Sequence, residues 1–454
     1  EICSRDWSSD VCSSDLLSTS QIPWNGPVSG VHVGYTDGKC VINPSFEDAK
    51  KNPFMFDVTV CGKDGNINMI ETSAKEISNE MAGEAFDAAV VAIEQIQNWQ
   101  KKIISEIGKE KIVFDFPKAP EKMESLFEEK ISAKFPAAVF AGAGKDSINK
   151  LMDEWVTLYT EAFPEEKVSF AIDFYEEKVN DIIHKEAIEN GKRPDGRGVD
   201  EVRPLFAKAG GISKVLHGSG IFYRGGTHVF SAVTLGAPGD AQTIETIKTS
   251  GSKRFMHHYN FPPYSTGEPG RMGGLNRRMV GHGYLAEKSL AQVIPDKETF
   301  PYTIRVVSES TASNGSTSMG SVCAGTIALM DAGVPITAPV AGIASGLMME
   351  TPEKYALITD IQGPEDHHGD MDFKVAGTRK GITGIQMDIK VDGFPVKILK
   401  EALIKAEQAR LQILDVIEKE IPAPRADISP RAPKILSTKI KVDKIAPTLN
   451  TFVV

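Results

Sequence analysis

The chain has 454 residues, 41% hydrophobic and 25% charged, with a formal net charge of −10. That length holds two or three domains with buried cores, and the composition is ordinary for a globular protein. No stretch reaches the roughly 18 consecutive apolar residues of a membrane span, and the acidic balance argues against nonspecific coating of nucleic acid while leaving room for a local basic channel.

Residues 1–16, EICSRDWSSDVCSSDL, show neither helical nor strand periodicity and no apolar signal-peptide core. They read as a tag, an artefact or a disordered tail. Cys3, Cys12, Cys40, Cys61 and Cys323 lack CxxC spacing and any histidine at zinc spacing. An odd, scattered set fits a reduced cytoplasmic protein.

Residues 17–107 read as short strands followed by a helix. GVHVGYTDGKCVIN and FMFDVTVCGKDGNINMIE each alternate around an Asp-Gly turn, which predicts two hairpins. Ser78 then opens a long stretch with apolar residues at helical spacing. Residues 108–185 are rich in Glu, Lys, Ala and Phe, punctuated by Pro117, Pro120, Pro136 and Pro164, and predict an all-helical linker domain. Residues 186–425 alternate strands and helices again. Residues 426–454 are a Pro-rich linker and a short basic segment too small to fold alone.

An internal repeat organises this pattern. PVSGVHVG (27–34) matches PVAGIASG (339–346), and FDVTVCG (56–62) matches MDFKVAG (371–377), in the same order. The fold class is therefore α/β (α+β): two related units, the first incomplete, joined by a helical domain.

Three stretches carry chemistry. GPEDHHGDMDFK places Asp366, Asp370, Asp372 and Lys374 within twelve residues. The last three alternate at period two, so in a strand they share a face. Carboxylates there suit Mg²⁺ or Mn²⁺, although a solvated acidic turn reads equally well. TASNGSTSMGS (311–321) is a Gly/Ser loop leading into a helix, where Ser316, Thr317 and Ser318 suit an anion, against an ordinary Ser N-cap. GRMGGLNRRMVGHG (270–283) looks like a Gly-rich loop. Its Arg271, Arg277 and Arg278 suit phosphates, and His282 is a further candidate. The neighbouring His257, His258, Tyr259, Phe261 and Tyr264 suit stacking on unpaired bases, or packing under a loop.

RPDGR, YRGGTHVFSAVTLG, HHYNFPPYSTGEPGR, RRMVGHGYLA, FPYTIRVVSES, SNGSTSMGSVCAGTIALMDAG and GDMDFKVAG occur in the order seen in the polynucleotide phosphorylase family. The chain resembles that family over roughly residues 22–434. The resemblance implies two RNase PH-like domains around a helical domain, assembled as a homotrimer with a channel for single-stranded RNA. It implies reversible 3′-to-5′ phosphorolysis by inorganic phosphate to nucleoside diphosphates, Mg²⁺ (or Mn²⁺) as cofactor, a cytoplasmic location and degradosome-type protein partners. By motif position it assigns Asp366 and Asp372 to the metal and Lys374 to the same catalytic site. Ser316, Thr317 and Ser318 fall on the phosphate loop; Arg271, Arg277, Arg278 and His282 fall on the RNA- and phosphate-contacting stretch. Thr317 replaces a more usual Ser, and His228 a common Gln. The chain looks truncated at both ends, stopping inside the start of a KH-like domain. The alternative is a catalytically silent, ring-forming RNA-binding subunit.

Overall fold

The computed structural model describes residues 13–246, 250–274 and 276–435. Among them no helix is long and apolar enough to cross a membrane. Of the readings of residues 1–16 as a tag, an artefact or a disordered tail, disorder does not describe residues 13–16. Residues 13–19 are helical, and Ser14 Oγ accepts the Val28 N–H at 2.7 Å. Lys111 Nζ donates to the carbonyls of Leu17, Ser18 and Ser20 beside it. Residues 1–12, and the segment 436–454 read as the start of a KH-like domain, lie outside the described residues.

The first unit holds β1 (Ser29–Thr36), β2 (Lys39–Ile42), β3 (Phe56–Lys63) and β4 (Asn66–Ala74). Asp37-Gly38 and Asp64-Gly65 all have positive φ, the geometry that matches a two-residue turn to the twist of its strands. The helix Asn79–Ile107 begins where Ser78 Oγ accepts the Met81 N–H, and it buries Ala82, Ala85, Phe86, Ala89 and Ile93.

The second unit adds β5 (Leu205–Ala209), β6 (Gly218–Arg224), β7 (Thr227–Gly236), β8 (Gln242–Glu245), β9 (Ser250–Lys253), β10 (Phe255–Asn260) and β11 (Thr303–Ala312). It ends with β12 (Ala341–Thr351), β13 (Lys354–Thr359), β14 (Met371–Gly377) and β15 (Ile382–Ile389). One eight-stranded sheet runs β13-β12-β14-β15-β4-β3-β1-β2, and a five-stranded sheet runs β10-β11-β7-β6-β5. The order of the large sheet is palindromic with respect to the sequence repeat. Its halves meet where Gln386 and Met387 of β15 pair with Glu71 and Ile70 of β4. The repeat also holds at the level of register, because Gly34 pairs with Asp57 as Gly346 pairs with Asp372.

The helix Thr317–Asp331 packs against both sheets and is buried on every side from Thr317 to Met330, which explains why its sequence is small and apolar apart from a few hydroxyls and carries no charge before Asp331. Between the two units, four helices (Met123–Lys130, Phe135–Val139, Asp146–Ala162 and Val168–Asn190) enclose Phe127, Trp155, Tyr159 and Tyr175. That core continues into Ala344, Met348, Ile358 and Ile361 of the second unit. The chain is thus an α+β protein of two related units with helices between them.

Candidate active site

The Gly/Ser loop ends in a backbone conformation that only its packing sustains. Gly315 has φ +90°, and a Cβ there would come within 2.5 Å of the Ile361 carbonyl oxygen. Ser316 follows at φ 48°, a left-handed conformation costly for a serine. It stands at the N-cap of the helix Thr317–Asp331, yet its side chain makes no capping hydrogen bond. The ordinary N-cap reading therefore fails. The Oγ atoms of Ser316 and Ser318 are both buried without a hydrogen-bond partner. Buried hydroxyls are normally satisfied, and here two are held unpaired at the positive end of a helix. Thr317 is the exception, since its Oγ1 lies 2.5 Å from the Tyr259 hydroxyl.

The acidic stretch enters β14. Asp372 and Lys374 share a face, with Lys374 Nζ 2.9 Å from Asp372 Oδ2 and donating to Gln386 Oε1 at 2.9 Å. Asp372 Oδ1 is buried and has no hydrogen-bond partner. Burial opposes the Lys374 ammonium, but Asp372, Asp366 and Asp388 outweigh it and raise its pKa. Asp366, one turn before the strand, has its pKa raised by burial and by the Asp372 charge. Asp370 departs from expectation. Its Oδ2 lies 2.9 Å from His184 Nε2 and accepts the Met349 N–H at 2.7 Å, so it ties the strand's start to the helix Val168–Asn190 instead of joining the site.

The arginine stretch is corrected from loop to helix. Arg277–Ala291 is helical, and Asn276 Oδ1 caps it by accepting the Met279 N–H at 2.8 Å. Arg278 lies over the Phe261 ring, 4.5 Å from its centroid. Arg277 is exposed at the helix start, and Arg271 lies in the exposed loop before it and enters none of these contacts. His282 packs on Tyr259 with ring centroids 5.3 Å apart, and its Nδ1 is buried without a partner. Burial, with help from Lys374 and Arg278, pushes its imidazole down to about 3, so it is neutral at pH 7. His257 and Tyr259 are buried in β10 and are corrected from stacking candidates to packing groups. His258 and Tyr264 remain exposed.

These parts form one assembly: Thr317 meets Tyr259, Tyr259 meets His282, and His282 lies in the field of Lys374 and Arg278. A buried charge network holds it. Asp360 pairs with Arg203 (2.7 Å) and Arg224 (2.8 Å), which keep its carboxyl well below the usual range against the effect of burial. Both Glu365 oxygens accept from one edge of the Arg193 guanidinium, from Nε at 2.6 Å and from Nη2 at 2.7 Å. Asn314 joins the two loops by accepting the Gly363 N–H at 2.8 Å and donating to Gln362 Oε1 at 3.3 Å. Sequence reasoning missed Gln386 and Asn314 as site-building residues and offered Tyr259 only for base stacking or packing. Asn314 sat inside the quoted loop, whereas Gln386 and Tyr259 reach the site only through strand pairing and helix packing.

Residues 201–335 match the 3′ exoribonuclease family, domain 1. Over 441 residues, 95% of this chain, the sequence is 47% identical to a polyribonucleotide nucleotidyltransferase of Streptococcus mutans and 45% identical to that of Streptococcus gordonii. The chain spans 60% of the length of each. A solved structure of rice (Oryza sativa) Rrp46 aligns with 50% of this chain and 98% of its own, at 18% identity and TM-score 0.40, too weak a likeness to bear on the fold.

Proposed function

We propose that this chain, a homologue of the polyribonucleotide nucleotidyltransferases over 95% of its own length, carries the catalytic site of a phosphorolytic 3′-to-5′ exoribonuclease. The observation that supports this most directly is a set of buried polar atoms without partners: Ser316 Oγ, Ser318 Oγ, His282 Nδ1 and Asp372 Oδ1. Leaving such groups unpaired costs about 1–3 kcal/mol each. Two hydroxyls, one imidazole and one carboxylate are the complement that a phosphate and a divalent cation would satisfy.

In this reading inorganic phosphate sits at the N-terminus of the helix Thr317–Asp331, held by the Ser316 and Ser318 hydroxyls and free backbone N–H groups. Arg277 and Arg278 grip the RNA backbone, and Arg271 adds charge along the strand's path. A phosphate oxygen attacks the 3′-terminal phosphodiester. The penultimate 3′-oxygen leaves and takes up the proton that the attacking hydrogenphosphate gives up, and a nucleoside diphosphate departs. Neutral His282 donates a hydrogen bond to the transferring phosphate instead of removing a proton, since inorganic phosphate is already an anion. Asp366 and Asp372 would hold Mg²⁺ or Mn²⁺, hard cations suited to carboxylate oxygens, which neutralise charge on the phosphoryl oxygens. Lys374 holds Asp372 in place and adds positive charge to the site. Positioning and charge stabilisation carry the reaction.

A silent RNA-binding subunit has no use for unpaired groups buried at both the anion loop and the acidic strand. By resemblance, three copies would form a cytoplasmic ring around single-stranded RNA. The reverse reaction tests the reading. Nucleoside diphosphates and Mg²⁺ should yield polymer with one free phosphate released per nucleotide added, and polymer without phosphate release would overturn it.

A further inference from the structure

Outside the acidic strand, one group of residues converges in a way the proposed reaction does not use. Glu176 projects from the helix Val168–Asn190, and His367 and His368 end the short helix that carries Asp366. His367 Nε2 lies 3.3 Å and His368 Nε2 3.4 Å from the same Glu176 oxygen, and all three atoms lie within 4.8 Å of one another. The two rings are perpendicular, with centroids 4.7 Å apart, so adjacent residues aim both nitrogens at one point. Among the described residues this is the one group of three or more such side chains whose ligand atoms converge in this way.

These spacings exceed those of good N–H···O hydrogen bonds, about 2.7–3.2 Å. They match the edge of a tetrahedron around zinc. Bonds of about 2.0–2.1 Å to nitrogen and oxygen place neighbouring ligands about 3.3–3.4 Å apart. We infer that Glu176, His367 and His368 form a transition-metal site of the Zn²⁺ class, with the fourth position left to water. It is separate from the oxygen-ligand site at Asp366 and Asp372.

Charge decides which metal class fits. The ammonium groups of Lys145 and Lys390 act on both His367 and His368, and His184 adds to the field on His368, while the Glu176 carboxylate opposes them at His367. This field disfavours cations held mainly by charge, such as Mg²⁺ or Ca²⁺, and leaves metals with strong imidazole bonds. The site bridges the helical segment to the turn that positions Asp366. A bound ion would pin the two together beside the tie already made by His184 and Asp370. This inference is independent of the reaction proposed above.

Co²⁺ is the probe, titrated into the purified whole chain and followed by its visible absorption, whose intensity marks tetrahedral coordination. One equivalent should bind with a tetrahedral spectrum. Glu176→Gln and His368→Gln should each weaken it by at least about 10–100-fold, the loss that removal of even an outer-sphere partner produces. Asp372→Asn should leave it unchanged. His368→Cys should restore binding with a new thiolate charge-transfer band, which guards against misfolding of the glutamine variants. No tetrahedral spectrum in the unaltered chain, its persistence in both glutamine variants, or its loss in Asp372→Asn would each overturn the inference.

Discussion

Lys374 Nζ stands 2.9 Å from one oxygen of Asp372, and the other oxygen of that carboxylate is buried without a hydrogen-bond partner. The pair is complete on one side only. Asp366 lies close enough for its ionisation to be opposed by the Asp372 charge. Removing the lysine would leave carboxylates facing each other with less compensation. Lys374→Met is therefore expected to cost about 3–5 kcal/mol, the range for a broken buried ion pair. Mg²⁺ should recover part of the loss. Denaturant midpoints with and without Mg²⁺ check this, and a variant whose stability ignores Mg²⁺ would contradict a cation between these carboxylates.

Ser318 gives the opposite pattern. Its hydroxyl is buried with no partner to lose, so Ser318→Ala should not destabilise the chain and should raise its stability by up to about 1–3 kcal/mol. If it binds phosphate, the same change removes a hydrogen bond to a charged group, worth about 1.5–3 kcal/mol. The KM for phosphate should rise about 10–100-fold while the melting temperature holds or rises.

Asn314 holds the Gly/Ser loop against the segment Gln362–Gly363 through two hydrogen bonds. Asn314→Ala should lower kcat by about tenfold, since small displacements of positioned groups are costly. Asn314→Asp, which keeps only the acceptor for the Gly363 N–H, should fall between. Equal losses in both variants would indicate that only one of the two bonds matters.

His184 and Asp370 supply a pH dependence. Burial disfavours the His184 cation, but the hydrogen bond and charge of Asp370 outweigh it, so the pKa lies above the ordinary 6.5. A histidine with a raised folded-state pKa contributes stability fully below its unfolded value and loses it as pH rises through the folded one. His184→Gln should thus destabilise the chain most below pH 6.5 and progressively less above it. Thermal melts of both proteins across that range would show converging curves; parallel curves would contradict the pairing.

Much of this architecture was legible in the sequence because it was set by local rules. Asp37-Gly38 and Asp64-Gly65 specify their turns through positive φ, and Ser78 caps its helix as its spacing predicted. The repeat was legible too, since Gly34 and Gly346 keep the same partner position in register. The helix Arg277–Ala291 was not, because Gly281 and Gly283 imitate a loop. Gly283 is needed for packing: a Cβ there would lie 3.1 Å from the His257 carbonyl oxygen of β10. Asp370 was misread for a related reason. Period two places it on the Asp372 face only if the strand has begun, but β14 starts at Met371 and His184, far away in sequence, takes its carboxylate.

Phosphorolysis is the activity proposed for the site built from Ser316, Ser318, Asp366, Asp372 and Lys374. The most direct measurement incubates the purified chain and its Asp372→Asn variant with single-stranded RNA and Mg²⁺, with and without inorganic phosphate, and separates the nucleotides released. Nucleoside diphosphates should appear only with phosphate and fall at least about 100-fold in the variant. Nucleoside monophosphates released without phosphate, or diphosphate release undiminished in Asp372→Asn, would contradict the account.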